Sequence, residues 1–318
     1  MKNKTVYKIV LLSLLVLFID IYSYAQPTHF TTNNYWKHQR KELIFGIGAS
    51  NFLGDLGGLN RVGTDYSPAD LDWAVTRPSG HIGYRLRIKP WVSTKAQFTY
   101  AVLKGDDALT TEPARRNRNL KFRSHLFDLS VHFEVIIFNS EEFGHRYKPL
   151  GVKGKRHSNT LIYALAGGSF FGFITQGPGD GGWTNLRPLH TEGQGLPGGP
   201  KQYRPFSFGI PMGLGTKIGL DAVWRMTFEL IYTKTFTDYL DDVSGVYYDN
   251  DAINNAYGST AAYFADPSAG YFPTWTDPGE QRGDSGEKDA YLMFNVSFTR
   301  NLTYKRSRGK KWRYRARF

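Results

Sequence analysis

The sequence predicts an all-β fold, an eight-stranded antiparallel transmembrane β-barrel with long extracellular loops and a basic periplasmic C-terminal tail. Three observations predict it. Eight segments of the chain alternate apolar and polar residues with period two. The gaps between those segments are long and short in turn. The N-terminus reads as an export signal.

Composition narrows the field first. The chain has 318 residues, no cysteine, 41% hydrophobic and 15% aromatic residues, 34 glycines and a mean hydropathy of −0.42. No run of 18 apolar residues follows the N-terminus, which excludes a helical multispanning protein. Without cysteine there is no disulfide scaffold, thiolate zinc site, cysteine nucleophile or cysteine-linked lipid anchor. High Tyr, Phe, Gly and Thr favour strands over helices.

Residues 1–25 read as a signal peptide. Lys2, Lys4 and Lys8 precede an apolar core over Ile9 to Ile19, and Ser23 and Ala25 place small residues before a cut at Gln26. Residues 26–40 are a periplasmic N-terminal segment, 41–304 the barrel and 305–318 the tail. A cysteine-free exported chain fits the Gram-negative envelope and points to the outer membrane.

The strand segments fall at 42–53, 79–88, 92–102, 127–137, 160–173, 206–218, 224–233 and 290–303. The last is the clearest: Ala290, Leu292, Phe294, Val296 and Phe298 alternate with Asn295, Ser297 and Thr299. The segments at 42–53 and 160–173 are the weakest. Each is long enough to cross a bilayer as a tilted strand, and eight is the smallest count that closes such a barrel. Gaps at 54–78, 104–121, 174–205 and 241–287 are long, whereas 89–90 and 220–223 are tight turns; the long basic gap at 139–159 is the exception.

Alternation alone does not say which face looks inward. A soluble β-sandwich or lipocalin-like barrel would bury the apolar face. The charges favour the membrane reading. Glu42, Arg85, Arg87, Lys95, Asp128, Glu134, Lys217, Arg225 and Glu229 all fall on the polar face, where with His132 they are expected to form a salt-bridge network in a narrow lumen.

The net charge of +12 is local rather than spread. Lys305, Arg306, Arg308, Lys310, Lys311, Arg313, Arg315 and Arg317 supply eight of it, and residues 26–304 are nearly neutral. A basic periplasmic arm is the reading of the tail, with an acidic partner, anionic lipid or cell-wall polymer as target and no nucleic acid. Lys153, Lys155 and Arg156 in the 139–159 gap would face the same side.

Signals for chemistry are weak, and no catalytic, metal or cofactor site is expected. No His-Glu-x-x-His pattern occurs. His132 with Asp128 and Glu134 is a conceivable acid–base group, with the lumen network as the plainer reading. Ser50 and His81 would have to meet for a lipid-modifying enzyme. The loop acids, among them Asp55, Asp65, Asp70, Asp72, Asp238, Asp241, Asp242, Asp249 and Asp251, match no EF-hand loop and read as solvated surface. Gly177 to Gly199 reads as a long flexible loop.

Two stretches carry a family likeness: Gly48-Ala49-Ser50-Asn51-Phe52-Leu53-Gly54-Asp55-Leu56-Gly57-Gly58, followed by Asp70-Leu71-Asp72 and Thr76-Arg77-Pro78, and Thr235-Phe236-Thr237-Asp238-Tyr239-Leu240-Asp241-Asp242-Val243-Ser244-Gly245. Both resemble the PorG-like outer-membrane β-barrels of Bacteroidetes, part of a wider domain family of unknown function, over most of residues 40–304. The resemblance implies a non-enzymatic accessory barrel of the type IX (Por) secretion system. It would not be the export pore, and it would link the periplasmic ring of PorK- and PorN-like subunits to the outer membrane. The tail and the 139–159 gap would then be ring-facing surfaces, by topology and charge alone. A surface barrel with ligand- or adhesion-binding loops and a lipid-modifying enzyme are the alternatives.

Overall fold

The computed structural model describes residues 36, 40–56, 73–110, 112–140, 159–179, 181–220 and 223–302. Eight long strands form the wall: β1 (Lys41–Leu53), β2 (Arg77–Lys89), β3 (Val92–Asp106), β4 (Lys121–Asn139), β5 (Thr160–Gly179), β7 (Phe206–Gly219), β8 (Trp224–Thr235) and β9 (Ala290–Asn301). A short strand β6 (Gly182–Asn185) folds back on the end of β5 as a hairpin. Every wall strand pairs antiparallel with its neighbour in the chain, β4 with β5 and β5 with β7 included, and β9 pairs with β1. The ring is therefore closed and leaves no free edge.

The direction of the alternation settles the question the sequence left open. Ile47 is 73% exposed and Phe133 59%, and Leu129, Phe208, Leu214, Phe294 and Phe298 also face outward. Glu42, Arg85, Lys95, Gln97, Glu134, Glu229 and Asn295 are buried in the lumen. A soluble barrel would show the opposite sign. An apolar belt around a polar interior is the arrangement that a hydrocarbon surround stabilises. At the end with the tight turns, Trp91 lies under Lys89 and Trp224 under Arg300, the latter cation 5.7 Å from the ring centroid. Aromatic rings and long cationic chains at that level fit a membrane interface.

β5 departs from the expected pattern. Its inward positions include Leu161, Tyr163, Leu165, Phe171 and Phe173, all buried, so apolar side chains look into the lumen. It also runs on to Gly179, where the sequence suggests a loop from Ile174. The flexible loop expected over 177–199 is instead built structure: Thr191, Glu192 and Gln194 are buried, and a 3-10 turn spans Arg187–Leu189. The 241–287 gap holds helices α2 (Asn250–Tyr257) and α3 (Ser259–Ala265), and the 104–121 gap holds α1 (Pro113–Arg118). Side chains cap the starts of α2 and α1: Asp249 accepts from the Asp251 and Ala252 amides, and Glu112 from the Arg115 amide.

Candidate functional site

The lumen carries one dense ionic cluster toward the turn end. Arg85 Nε donates to Glu134 at 2.9 Å, Nη1 to Glu42 at 3.2 Å, and Nη2 to Glu229 at 3.1 Å and to the Tyr163 hydroxyl at 2.9 Å. Lys95 Nζ donates to both oxygens of Glu229 at 2.7 Å. Glu42 also accepts from Lys217 at 2.8 Å and from Arg225 at 2.6 Å. The antiparallel register explains the convergence. Glu42 lies opposite Arg85, Arg85 opposite Lys95, and Lys95 opposite His132, so one row of inward positions runs across four strands. Burial this deep is tolerated because each charge has an opposite partner at hydrogen-bond distance.

Glu42, Arg85, Lys95, Glu134, Lys217, Arg225 and Glu229 meet in the lumen, and Arg87, buried next to Glu42, Glu134 and Lys217, also donates to the Pro90 carbonyl at 2.6 Å in the β2–β3 turn. Two residues of the expected network stand apart from it. Asp128 accepts from the Tyr291 hydroxyl, nearer the loop end of the barrel. His132 is buried beside Lys95 and makes no hydrogen bond to Asp128 or Glu134. The acid–base group is therefore not assembled. Sequence reading missed Tyr163, which joins Arg85 to Glu229, because a tyrosine on an irregular strand carries no mark of an inward polar role.

Ser50 and His81 are not brought together either. Ser50 Oγ donates to the Val102 carbonyl at 2.7 Å, and His81 Nε2 sits 2.7 Å from Ser297 Oγ. His81 lies opposite Gly46 and Ser50 opposite Arg77, four residues apart along both strands.

At the loop end the lumen is filled by an apolar plug. Phe52, Leu56, Leu103, Phe122, Leu126, Phe171, Phe173, Leu240, Val243, Tyr291 and Met293 form one buried cluster. Both family-like stretches meet here. Phe52 and Leu56 come from the first and Leu240 and Val243 from the second, so these distant pieces of chain close the barrel mouth together. Polar residues of the second stretch tie it down. Thr235 Oγ1 donates to the Asp289 carbonyl at 2.7 Å, and Asp289 Oδ2 accepts from the Leu240 amide at 2.9 Å. Ser244 Oγ donates to Asp238 at 2.6 Å. The Asp70-Leu71-Asp72 part of the first stretch lies outside the described residues.

Above the plug, the loops pack into a cap with its own buried charges. Arg282 Nη1 donates to Glu192 at 3.0 Å and to the Asp242 carbonyl at 2.9 Å. Glu192 Oε1 also accepts the Ser244 and Gly245 amides. Asp242 accepts from Thr191 at 2.6 Å and from Tyr203 at 2.5 Å, with its backbone in the left-handed region at φ 68°. Arg118 pairs with Asp107 at 2.8 Å and donates to the Asp55 carbonyl at 2.7 Å. The reading of Asp238, Asp241 and Asp242 as solvated surface is thus corrected: all three are buried. Burial pushes the carboxyls of Asp238 and Asp242 up to about 6. Asp241 and Asp289 are also raised, first by burial and then by neighbouring acids. Asp249 holds the α2 start as a cap, and Asp65, Asp70 and Asp72 lie outside the described residues.

The expected partner-facing residues Lys153, Lys155, Arg156, Lys305, Arg306, Arg308, Lys310, Lys311, Arg313, Arg315 and Arg317 lie outside the described residues, as does the signal segment 1–25. Among the described residues no group of three or more His, Asp or Glu side chains is placed to hold a metal ion.

The fold and the site define a closed, plugged, eight-stranded antiparallel barrel. A family profile described as a domain of unknown function (DUF6089) matches residues 27–154, which include β1 to β4. No curated protein is significantly similar in sequence. Among solved structures, similar chains include Ail, the attachment invasion locus protein of Yersinia pestis, at 7% identity and TM-score 0.36, covering 82% of this chain and 98% of that one. Ail in complex with the heparin analogue sucrose octasulfate matches at 8% identity and TM-score 0.35, over 82% and 97%. Neisserial surface protein A matches at 8% identity and TM-score 0.34, over 82% and 96%. Similarity at this level carries no ligand or role across.

Proposed function

We propose that this chain is a non-enzymatic outer-membrane β-barrel that serves as an accessory component of the type IX protein secretion system and links the periplasmic ring to the outer membrane. The observation that carries the anchoring role is a wall apolar outside and a lumen blocked twice, by the Arg85-centred ionic cluster and by the Phe52–Leu240 plug. Such a barrel holds a position in a bilayer and conducts no protein. Its place in the secretion machine rests on the two PorG-like stretches, and the partners expected are PorK- and PorN-like ring proteins. In this reading the signal peptide is cleaved after export, and the basic tail from Lys305 to Phe318 with the 139–159 segment faces the ring.

A second reading, a surface barrel whose loops bind a ligand or a host surface, draws support from the cap, because loops packed by buried ion pairs present a fixed surface.

The test is purification of the tagged protein from outer membranes in mild detergent, with mass spectrometry of what accompanies it. Recovery of ring subunits, and their loss on deleting residues 305–318, is the expected result. A barrel without partners, under conditions that keep the ring intact, sinks the secretion role and leaves the loop-binding one.

A further inference from the structure

The outer face of β3 and β4 changes character toward the loop end. Phe98, Tyr100, Phe127 and Leu129 face outward and belong to the apolar belt. The next positions of the same parity are Val102 and Lys104 on β3, and His125, Arg123 and Lys121 on β4. Lys104 lies directly opposite Arg123, so two cations face each other across the strands. Like charges in that arrangement repel. Arg77, at the start of β2, adds a further charge that acts on Lys104.

One carboxylate answers this group. Asp106 Oδ2 lies 2.7 Å from Lys121 Nζ and 3.7 Å from Lys104 Nζ, so the two ammonium groups converge on a single oxygen. Arg77 donates to the Ala74 and Thr76 carbonyls. Arg123 donates to Gln176 at 2.8 Å and lies 4.2 Å above the centroid of the Trp183 ring. Neither arginine has a carboxylate partner among the described residues. Four cations therefore stand beside one acid, and the Lys121 side chain remains 40% exposed. The excess is local. On the opposite side of the ring, the outer face of β8 brings Lys234 to the same end.

Position selects the occupant. The level just beyond a hydrocarbon-facing belt is that of the lipid headgroups, and basic clusters there attract anionic lipid. A phosphate monoester carries about −1.5 to −2 charges at pH 7 and three acceptor oxygens, enough to engage both lysines while Asp106 stays in place. We propose that Lys104 and Lys121, flanked by Arg77 and Arg123, bind the phosphate monoester of a membrane lipid whose acyl chains lie along Tyr100, Phe127 and Leu129. The site depends on the lipid-facing wall and is independent of any role in secretion.

The test is native mass spectrometry of the full chain in neutral detergent, titrated with phosphatidic acid, phosphatidylglycerol and phosphatidylcholine of identical acyl chains. These carry a phosphate monoester, a singly charged diester and a diester without net charge. Phosphatidic acid is expected to bind most tightly. Lys104→Gln combined with Lys121→Gln should weaken it about tenfold, the loss of charge-assisted hydrogen bonds to one group. Lys234→Gln, across the ring, should leave it unchanged. Heat-modifiability on gels checks that the variants still form the barrel. Equal affinity for the three lipids means contact through the chains alone and overturns the proposal. So does undiminished binding in the double variant, or an equal loss in Lys234→Gln. Full displacement of phosphatidic acid by inorganic phosphate would mark a site for a free anion and also overturns it.

Discussion

The hydroxyl of Tyr163 donates to Glu229 Oε1 at 2.6 Å, and the Tyr163 ring occupies the space that a Cβ on Gly215 would need. Gly215 lies opposite Tyr163 on one side and Glu229 on the other, so a missing side chain on β7 makes room for the bridge between β5 and β8. Through Tyr163 and Arg85, Glu229 is joined to the rest of the cluster. Removing it leaves Lys95 without its carboxylate and Arg85 short of one partner. Glu229→Ala is therefore expected to cost about 3–5 kcal/mol, because it strands a buried charge. Tyr163→Phe, which keeps the ring, should cost about 1–3 kcal/mol. Urea unfolding in lipid vesicles checks both, and equal effects would mean that Glu229 acts only through the tyrosine.

Gly215→Val tests the packing half of the same relationship. A branched side chain there must displace the Tyr163 ring or the β7 backbone, and overpacking of this kind costs about 1–3 kcal/mol. The same substitution at Gly168, where a Cβ meets nothing, should be close to neutral. The difference in denaturation midpoint between the two variants is the readout.

The orientation of the wall makes a paired prediction on β4. Leu129 is 57% exposed on the outer face, whereas its neighbour Ser130 is buried in the lumen. Leu129→Arg should destabilise the barrel in a bilayer by about 2–4 kcal/mol, the cost of a cation on the lipid face near mid-depth. In detergent the penalty should shrink. An equal penalty in both media would argue against a lipid-facing surface.

The cap should loosen as pH rises. Asp238 and Asp242 have carboxyls raised to about 6 from an ordinary value of 3.8, with burial the main cause. A raised acid favours the folded state most below about pH 4, and that stabilisation is lost as pH rises through about 6. The same sign holds for Asp55, Asp241 and Asp289. Exchange of the Ser244 and Gly245 amides, corrected for intrinsic rates, should speed up on the order of a hundredfold between pH 4 and pH 7. Asp242→Asn should flatten part of this dependence. Asparagine suits the left-handed backbone at that position, and the substitution removes the charge together with one of the two oxygens that accept from Thr191 and Tyr203. A cap equally protected at both pH values would mean that these acids find compensating partners.

The wall of the barrel was legible in the sequence because side-chain period two is a local property. Phe127, Leu129 and Val131 against Asp128, Ser130 and His132 mark a two-faced strand whatever it packs against. The inward set Arg85, Lys95, Glu134, Arg225 and Glu229 followed from that parity together with the gathering of charge on one face. Which charges met and what the loops became were decided only by closure. Closing β9 on β1 fixes the register that puts Glu42 beside Arg85 and Arg225 and leaves Asp128 to Tyr291. Folding Leu240 and Val243 onto Phe52 buries acids that a linear reading places in water. Those pairings join residues as far apart as Glu42 and Arg225, and Asp55 and Asp284. Such contacts have no local signature, because their energy exists only once the ring has brought both partners out of water.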